Sequence, residues 1–415
     1  MHPRYKNITV GILLGIVLLF VWGYQLQLPR QFYYDENQYI GFTQELIYKH
    51  NYTEFYNVHP PLWHLLVMSC IKLFGDYSWV WRIVSLISGV GVILLLYQLT
   101  QKITGDPTVA ALAVFASVFD CISLTQARIA MMNSFMLLFM LACLLYLLRA
   151  FPKEKPIDKR SLRLSGIFLG IALATKLLAL NLFLFIAVIL VQQAFKRKTE
   201  RGILLREAGF FLFAVPLLMH FAIHLVIIFY KDRTLADVWK IWIFHIKYLI
   251  ELKETHTYAS KFWGWPLLLR PIWFYFKSDL WDTPLARVWG IICIGNPAIF
   301  WMIPVIIGNL LWDYWKRRSA VSGLILLGFF TQWLFPFALM KLTFFHYFYT
   351  AVPFVVMGLG LLLARIWRTG KIGRRVVITY LVLVAAMFVF WYPLLTGLSI
   401  PQWYYNQHMW LRSWI

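Results

Sequence analysis

The apolar residues of this chain come in long blocks rather than in alternation with polar ones. Eleven blocks stand out, near residues 8–28, 79–99, 109–125, 129–148, 163–176, 178–195, 208–229, 287–311, 320–340, 347–366 and 376–395. A helix needs roughly 20 apolar residues to cross a hydrocarbon core about 30 Å thick. Barrel strands would instead alternate over segments of about ten residues. The pattern predicts an all-α polytopic membrane protein of about eleven transmembrane helices. The fifth and sixth blocks are short, and read either as two spans or as one long tilted span. The first has the length of a signal peptide, but no small-residue cleavage site follows it, so it is expected to stay as the first helix.

Two connections are long, residues 29–78 and 230–286. Loops of that length in a compact protein usually carry function. In the first, Tyr39, Phe42, Leu46 and Ile47 fall at helical spacing after Glu36, which predicts a short amphipathic helix. Residues 62–74 are apolar but too short to span, and predict an interfacial or re-entrant helix with Pro60 and Pro61 at its start. In the second loop, Leu235, Val238, Trp239, Trp242, Ile243, Ile246 and Ile250 form one face at a period of 3.6, the mark of a helix lying in the membrane plane. No separate soluble domain is expected, and residues 1–415 read as one transmembrane domain.

Composition agrees. Hydrophobic residues make up 61% and charged ones 14%, with a mean hydropathy of +0.67. Soluble domains carry roughly 25% charged residues, so a soluble enzyme is excluded. The net charge of +21, from 39 Lys and Arg against 18 Asp and Glu, would suggest nucleic acid in a soluble protein. Here its distribution matters more. With the N-terminus inside, the stretches 1–7, 101–108, 149–163, 196–207, 312–319 and 365–375 hold 22 Lys and Arg but 6 Asp and Glu. That bias is the topological signal of cytoplasmic loops. Segments such as Lys196-Arg197-Lys198 and Lys316-Arg317-Arg318 then read as anchors beside anionic lipid, and no nucleic-acid partner is expected. Both long loops fall on the extracytoplasmic face. Cys70, Cys121, Cys143 and Cys293 lie in apolar segments without metal-ligand spacing and read as small hydrophobes.

The chemistry-bearing residues gather on that face. Asp35 and Glu36 sit among aromatics just after the first span. Partial desolvation there raises a carboxylate's proton affinity, which suits a general base; an N-cap for the following helix is the other reading of Asp35. His59 reads as a metal ligand, as a residue that orients a substrate, or as neither. Arg82, Arg128, Lys176, and Lys341 with His346, lie at or near the outer ends of spans. Such cations either snorkel to the interface or converge on an anion, for which a lipid phosphate is the natural candidate. Trp263 and Trp265 stack on a ligand or anchor the loop at the interface. Asn51-Tyr52-Thr53 has the form of a glycosylation sequon.

These residues stand in blocks that resemble the protein O-mannosyltransferases, membrane-embedded enzymes of the C-type glycosyltransferase fold. Asp35-Glu36 occupies the first external loop, and His59-Pro60-Pro61-Leu62 is similar to the family's HPPL block. Arg82 lies in an R-x-x-S-x-x-x-G helix, and Gln126-Ala127-Arg128 opens a Q-x-R stretch. Gly170 to Lys176 resembles G-x-A-x-x-T-K. Ser260 to Pro266 with Arg270-Pro271, then Gly295-Asn296-Pro297, then Phe345-His346-Tyr347 with Tyr349, follow in the family's order. Asn133 departs from the pattern, standing where the family usually has Asp. The chain shows no counterpart of the β-trefoil domain of eukaryotic members, and so resembles compact prokaryotic ones.

The resemblance implies an inverting transferase that moves a sugar, foremost mannose, from a polyprenyl-phosphate donor to a hydroxyl acceptor, foremost protein Ser or Thr. It implies Asp35 as base with Glu36 beside it, and Arg82, Arg128, Lys176, His346 and Tyr349 as contacts to the donor phosphate or sugar. His59, Trp263, Trp265 and Arg270 would contact acceptor or sugar. No obligatory metal is expected, with a divalent cation as the alternative. The expected setting is the plasma (inner) membrane, multi-pass, with the active site on the extracytoplasmic face. Two other readings stay open: transfer to a glycolipid, polymer or small molecule, and flipping of a polyprenyl-linked sugar.

Overall fold

Helices account for nearly every predicted block. A computed structural model describes residues 3–52, 58–230, 232–251, 256–334, 337 and 342–414. In chain order they begin with α1 (Pro3–Gly23), α2 (Glu36–Gln44), α3 (Leu62–Phe74), α4 (Ser78–Thr104), α5 (Pro107–Val118), α6 (Cys121–Arg128), α7 (Asn133–Arg149) and α8 (Lys159–Leu173). Among the described residues five helices are long and apolar enough to cross a membrane: α4, Leu177–Lys196, Lys198–Phe229, Pro297–Arg317 and Lys371–Trp391. The bent pair α5 and α6 makes a sixth, and shorter apolar helices include Gly11–Gly23, α7, Ala320–Trp333 and Val352–Trp367. The fifth and sixth blocks are separated by a break at residues 174–176, which holds Lys176.

The described residues form two compact units. One comprises Asp35–Ser88 and Ala130–Lys253. Here α3 starts at Pro61, where a missing amide costs nothing, and stops at Gly75, whose φ of +88° only glycine adopts freely. Beneath the loops, Phe42, Leu46 and Tyr52 from the first pack with Ile227, Val238 and Ile241 in one buried cluster. The helix Leu235–Glu251 is amphipathic as predicted, but its inward face is turned. Val238, Ile241 and His245 are buried, whereas Leu235 and Trp239 are exposed. Packing against Tyr52 and Ile227 selects that edge, which hydropathy alone does not distinguish from the lipid-facing one. Gly166 in α8 lets a neighbouring backbone approach, since a Cβ there would lie 1.7 Å from the Phe211 carbonyl oxygen.

The other unit comprises Met1–Tyr34, Gly89–Ile129 and Glu254–Ile415. The predicted third span is broken here, with α5 and α6 bent by 62° at Phe119 and Asp120. Asp120 caps α6 through the Ser123 amide at 3.2 Å and accepts the Asn296 amide at 3.1 Å. Asn296 in turn donates to the Phe119 and Val384 carbonyls at 2.7 and 2.9 Å. The Gly-Asn-Pro block thus satisfies the backbone that the bend exposes.

The eighth predicted span, 287–311, differs from expectation at its start. Strand β1 (Ile272–Asp279) pairs antiparallel with β2 (Arg287–Cys293), and β2 with β3 (Ser399–Pro401). Residues 287–294 are an apolar run rich in β-branched and aromatic side chains, and a short run of that kind fits a buried strand as well as a helix. Gly295 ends it, and helix resumes at Pro297. The fold is therefore helical with one small sheet.

Candidate active site

Asp35 stands at the N-cap position of α2, yet its side chain makes no capping hydrogen bond. Its Oδ2 instead accepts from the Tyr39 hydroxyl, one turn along, at 3.4 Å. The hydroxyl of Tyr39 also meets His59 Nε2 at 3.2 Å. The carboxylate is thus held by a side chain that reaches both acid and histidine. Burial pushes the Asp35 carboxyl up from 3.8 to about 6, against the charge of Lys176 and the Tyr39 hydrogen bond, which both pull it down. An acid poised there is ionised at neutral pH and still basic enough to take a proton.

Lys176 is buried, at 5% exposure, and donates from Nζ to Asn133 Oδ1 at 3.0 Å. Its position follows from the break after α8, which lets the backbone turn and the ammonium face the start of α7. Glu36 and Arg82 pair with each other, from Nε to Oε1 and from Nη2 to Oε2, both at 2.8 Å. Glu36 Oε1 also accepts the Ala130 amide at 2.8 Å. The second acid is therefore held by a cation and a backbone amide.

In the other unit, Arg128 donates to the carbonyls of Trp22, Tyr24 (2.8 Å) and Gln25 (3.1 Å), at and just beyond the end of α1. His346 is buried among rings, stacked on Phe344 at 5.7 Å and edge-on to Tyr34 at 6.0 Å. Tyr349 is also buried. Trp263, Trp265 and Arg270 line one cavity of about 240 Å³ together with Lys261. Trp265 is buried and donates to Ser260 Oγ at 2.9 Å, whereas Trp263 is 56% exposed. Arg270 donates to the Thr257 carbonyl at 2.6 Å. Lys341 and Thr53 lie outside the described residues.

The structure thus brings Asp35, Lys176, Glu36, Arg82 and His59 into one unit and collects the tryptophan pair with Arg270 in the other. It adds Tyr39, which could have been found from its position four residues after Asp35 on a helix. It also adds the Ala130 amide, for which no side-chain signal exists.

Residues 58–246 match the family described as dolichyl-phosphate-mannose-protein mannosyltransferase. Residues 234–414 match the C-terminal four-transmembrane region of protein O-mannosyltransferase. The chain belongs to the protein O-mannosyltransferase family. Among curated members of that family it is 27% identical to the polyprenol-phosphate-mannose–protein mannosyltransferase of Mycolicibacterium smegmatis, over 86% of this chain and 82% of that protein. It is 26% identical to the Corynebacterium glutamicum protein of the same name, over 86% and 81%. The fold is that of the Saccharomyces cerevisiae protein O-mannosyltransferase Pmt1–Pmt2 complex bound to the sugar donor, with a TM-score of 0.82 over 99% of this chain and 93% of that one at 14% identity. ArnT from Cupriavidus metallidurans bound to undecaprenyl phosphate aligns with a TM-score of 0.57 at 15% identity, over 92% and 70% of the two chains.

Proposed function

We propose that this mannosyltransferase-family protein moves mannose from a polyprenyl-phosphate donor to a Ser or Thr hydroxyl of a protein, with inversion. The observation that carries the reading is the Asp35 carboxylate, half-buried, raised to about 6 and under the field of the buried Lys176 ammonium. One group accepts a proton while the other opposes an anion, which is the pair that the chemistry requires.

In this scheme the acceptor oxygen attacks the anomeric carbon from the face opposite the phosphate. Its proton passes to Asp35, and the bond from the anomeric carbon to the phosphate oxygen breaks with its electron pair leaving on polyprenyl phosphate. Lys176 offsets the negative charge that collects there. With that ammonium in place the scheme needs no resident metal, so turnover persists in the presence of a chelator. Tyr39 and His59 orient Asp35. Glu36 and Arg82 fix the first turn of α2, which carries Asp35. In the second unit, the exposed ring of Trp263 is the surface suited to stacking on a sugar or peptide. The cation bias of the short loops supports a cytoplasmic N-terminus, an extracytoplasmic site and residence in the plasma (inner) membrane.

The test is an intact-mass assay of the purified protein with polyprenyl-phosphate-mannose and a peptide containing Ser and Thr. One added hexose on the peptide supports the reading. Product on a glycolipid but never on peptide, or movement of labelled lipid across liposomes without product, overturns it.

A further inference from the structure

The unit that holds the small sheet has a second cavity, of about 520 Å³. It is lined by Phe276 and Ser278 of β1, by Trp281 of the turn that follows, and by Tyr405, Asn406 and Met409 near the C-terminus. Small-molecule sites usually measure about 300–1,000 Å³. The rings of Phe276, Trp281 and Tyr405 meet in pairs at 57–70°, with centroids 5.6–6.3 Å apart. Tyr405 is buried, whereas Phe276 and Trp281 stay 45% and 43% exposed.

The turn that carries Trp281 is braced. Leu280 and Asp282, on either side of it, both hold the left-handed backbone conformation, with φ of +52° and +62°. Residues other than glycine keep that conformation where their surroundings over-determine it. Here the Thr283 amide and hydroxyl donate to the Leu280 carbonyl at 3.1 and 2.7 Å. The Asp282 amide donates to the Gln402 side chain at 3.0 Å, and that side chain donates back to the Asp282 carboxylate at 3.1 Å. Trp281 is thereby fixed beside the segment that carries Tyr405 and Asn406.

None of the six lining side chains is charged, so a phosphate or carboxylate would find no counter-ion among them. Ser278 and Asn406 are exposed, and their side chains are engaged by no other described residue. They offer hydrogen-bond donors and acceptors beside half-open rings. An acyl chain would use the rings and neither polar group. A neutral hydroxylated ring uses both, its C–H face lying on the aromatics and its hydroxyls meeting the amide and the serine. The span Pro297–Arg317, which follows β2, runs into Lys316, Arg317 and Arg318, and the span Lys371–Trp391, which precedes Tyr405, starts among Lys371, Arg374 and Arg375. The cavity belongs to the opposite ends of both spans, which the topology proposed above makes extracytoplasmic.

We infer that this cavity binds a mannosyl residue already carried by an acceptor protein, so that the product of one transfer is retained for another. The inference rests on the protein-linked mannose product proposed above.

The experiment titrates the full-length protein in nanodiscs with two synthetic Ser/Thr peptides of one sequence, one of them bearing a single O-linked mannose. It needs no turnover, so it succeeds or fails separately from the transfer assay. The mannosylated peptide binds about tenfold more tightly than the bare one, and excess methyl mannoside removes that advantage. Trp281→Ala takes away a half-exposed ring and abolishes the difference. Asn406→Ala, at an exposed position, diminishes it and keeps the inference testable if the tryptophan variant does not fold. Equal affinity for the two peptides, as a groove for an aromatic side chain or an acyl chain would give, overturns the inference. So does an advantage that either substitution leaves undiminished in folded protein. A protein that prefers the mannosylated peptide in this way but transfers no mannose overturns instead the functional reading beneath it.

Discussion

Arg82 and Glu36, 46 residues apart in the chain, meet through two hydrogen bonds of 2.8 Å with neither side chain exposed. Removing one partner of such a pair leaves an uncompensated charge in the interior, at a cost of about 3–5 kcal/mol. Arg82→Ala and Glu36→Ala are each expected to lower the thermal midpoint in detergent strongly. The double variant should lose much less than the sum of the two, because their main interaction is shared. Single variants that unfold like wild type, with only the donor KM raised, would return Arg82 to the phosphate.

Asp35 behaves differently because its charge is not locked in a pair. Asp35→Asn is expected to lower kcat by roughly 10²–10⁴, the usual contribution of a positioned base, with donor binding retained. Isothermal titration with donor and a product assay separate the two effects. Wild-type-like turnover would remove the base assignment.

The pH profile follows from the same group. Burial raises its pKa to about 6, and the active form is the ionised one. Rate is therefore full above about pH 7 and falls about tenfold for each pH step well below 6. A profile flat down to pH 4.5 would place the base elsewhere.

The helical fold, the amphipathic helices after Glu36 and at Leu235, and the short helix at Leu62 were legible from apolar run length and local periodicity, though of the eleven predicted spans five, or six with the bent pair, are long and apolar enough to cross a membrane among the described residues. The strand Arg287–Cys293 was not, since an apolar run of that length fits strand and helix alike. Nor was the pairing of Glu36 with Arg82, as periodicity carries no information on which distant charges meet. Asp35 and Lys176 stood out by their place beside apolar segments at the outer ends of spans, and the family resemblance then implied their roles. Their electrostatic coupling depends on a helix break at residues 174–176, which the division between the fifth and sixth apolar blocks marks only as a boundary between two short spans. Tyr39 was seen only as an apolar helix position, yet its hydroxyl is what links Asp35 to His59.

The close approach at Gly166 gives a stability test away from the chemistry. A methyl group there would meet the Phe211 carbonyl oxygen at 1.7 Å, and backbone cannot move aside as a flexible side chain can. Gly166→Ala is expected to cost at least about 1–3 kcal/mol, read as a lower thermal midpoint, while Gly202→Ala, which meets nothing within 4 Å, is neutral or slightly stabilising. Equal midpoints for the two variants would show that α8 does not pack as described.

Arg128 is the cation whose geometry points most clearly to a structural role. Its guanidinium takes the carbonyls of Trp22, in the last turn of α1, and of Tyr24 and Gln25 just after it, where helix carbonyls run out of intrahelical donors. Arg128 itself is buried, at 3% exposure, so water does not readily replace it. Arg128→Ala leaves the Trp22 and Tyr24 carbonyls short of a donor, while Gln25 keeps the Leu28 amide at 3.0 Å, and each acceptor that stays buried and unsatisfied costs about 1–3 kcal/mol. Arg128→Lys, with a single ammonium in place of a planar fork, recovers only part of this. The expected result is a graded loss of thermal stability, alanine below lysine below wild type, and earlier proteolysis near residues 24–31. Donor affinity of the folded fraction should change little. A donor affinity that falls tenfold or more with an unchanged thermal midpoint would make Arg128 a phosphate ligand after all.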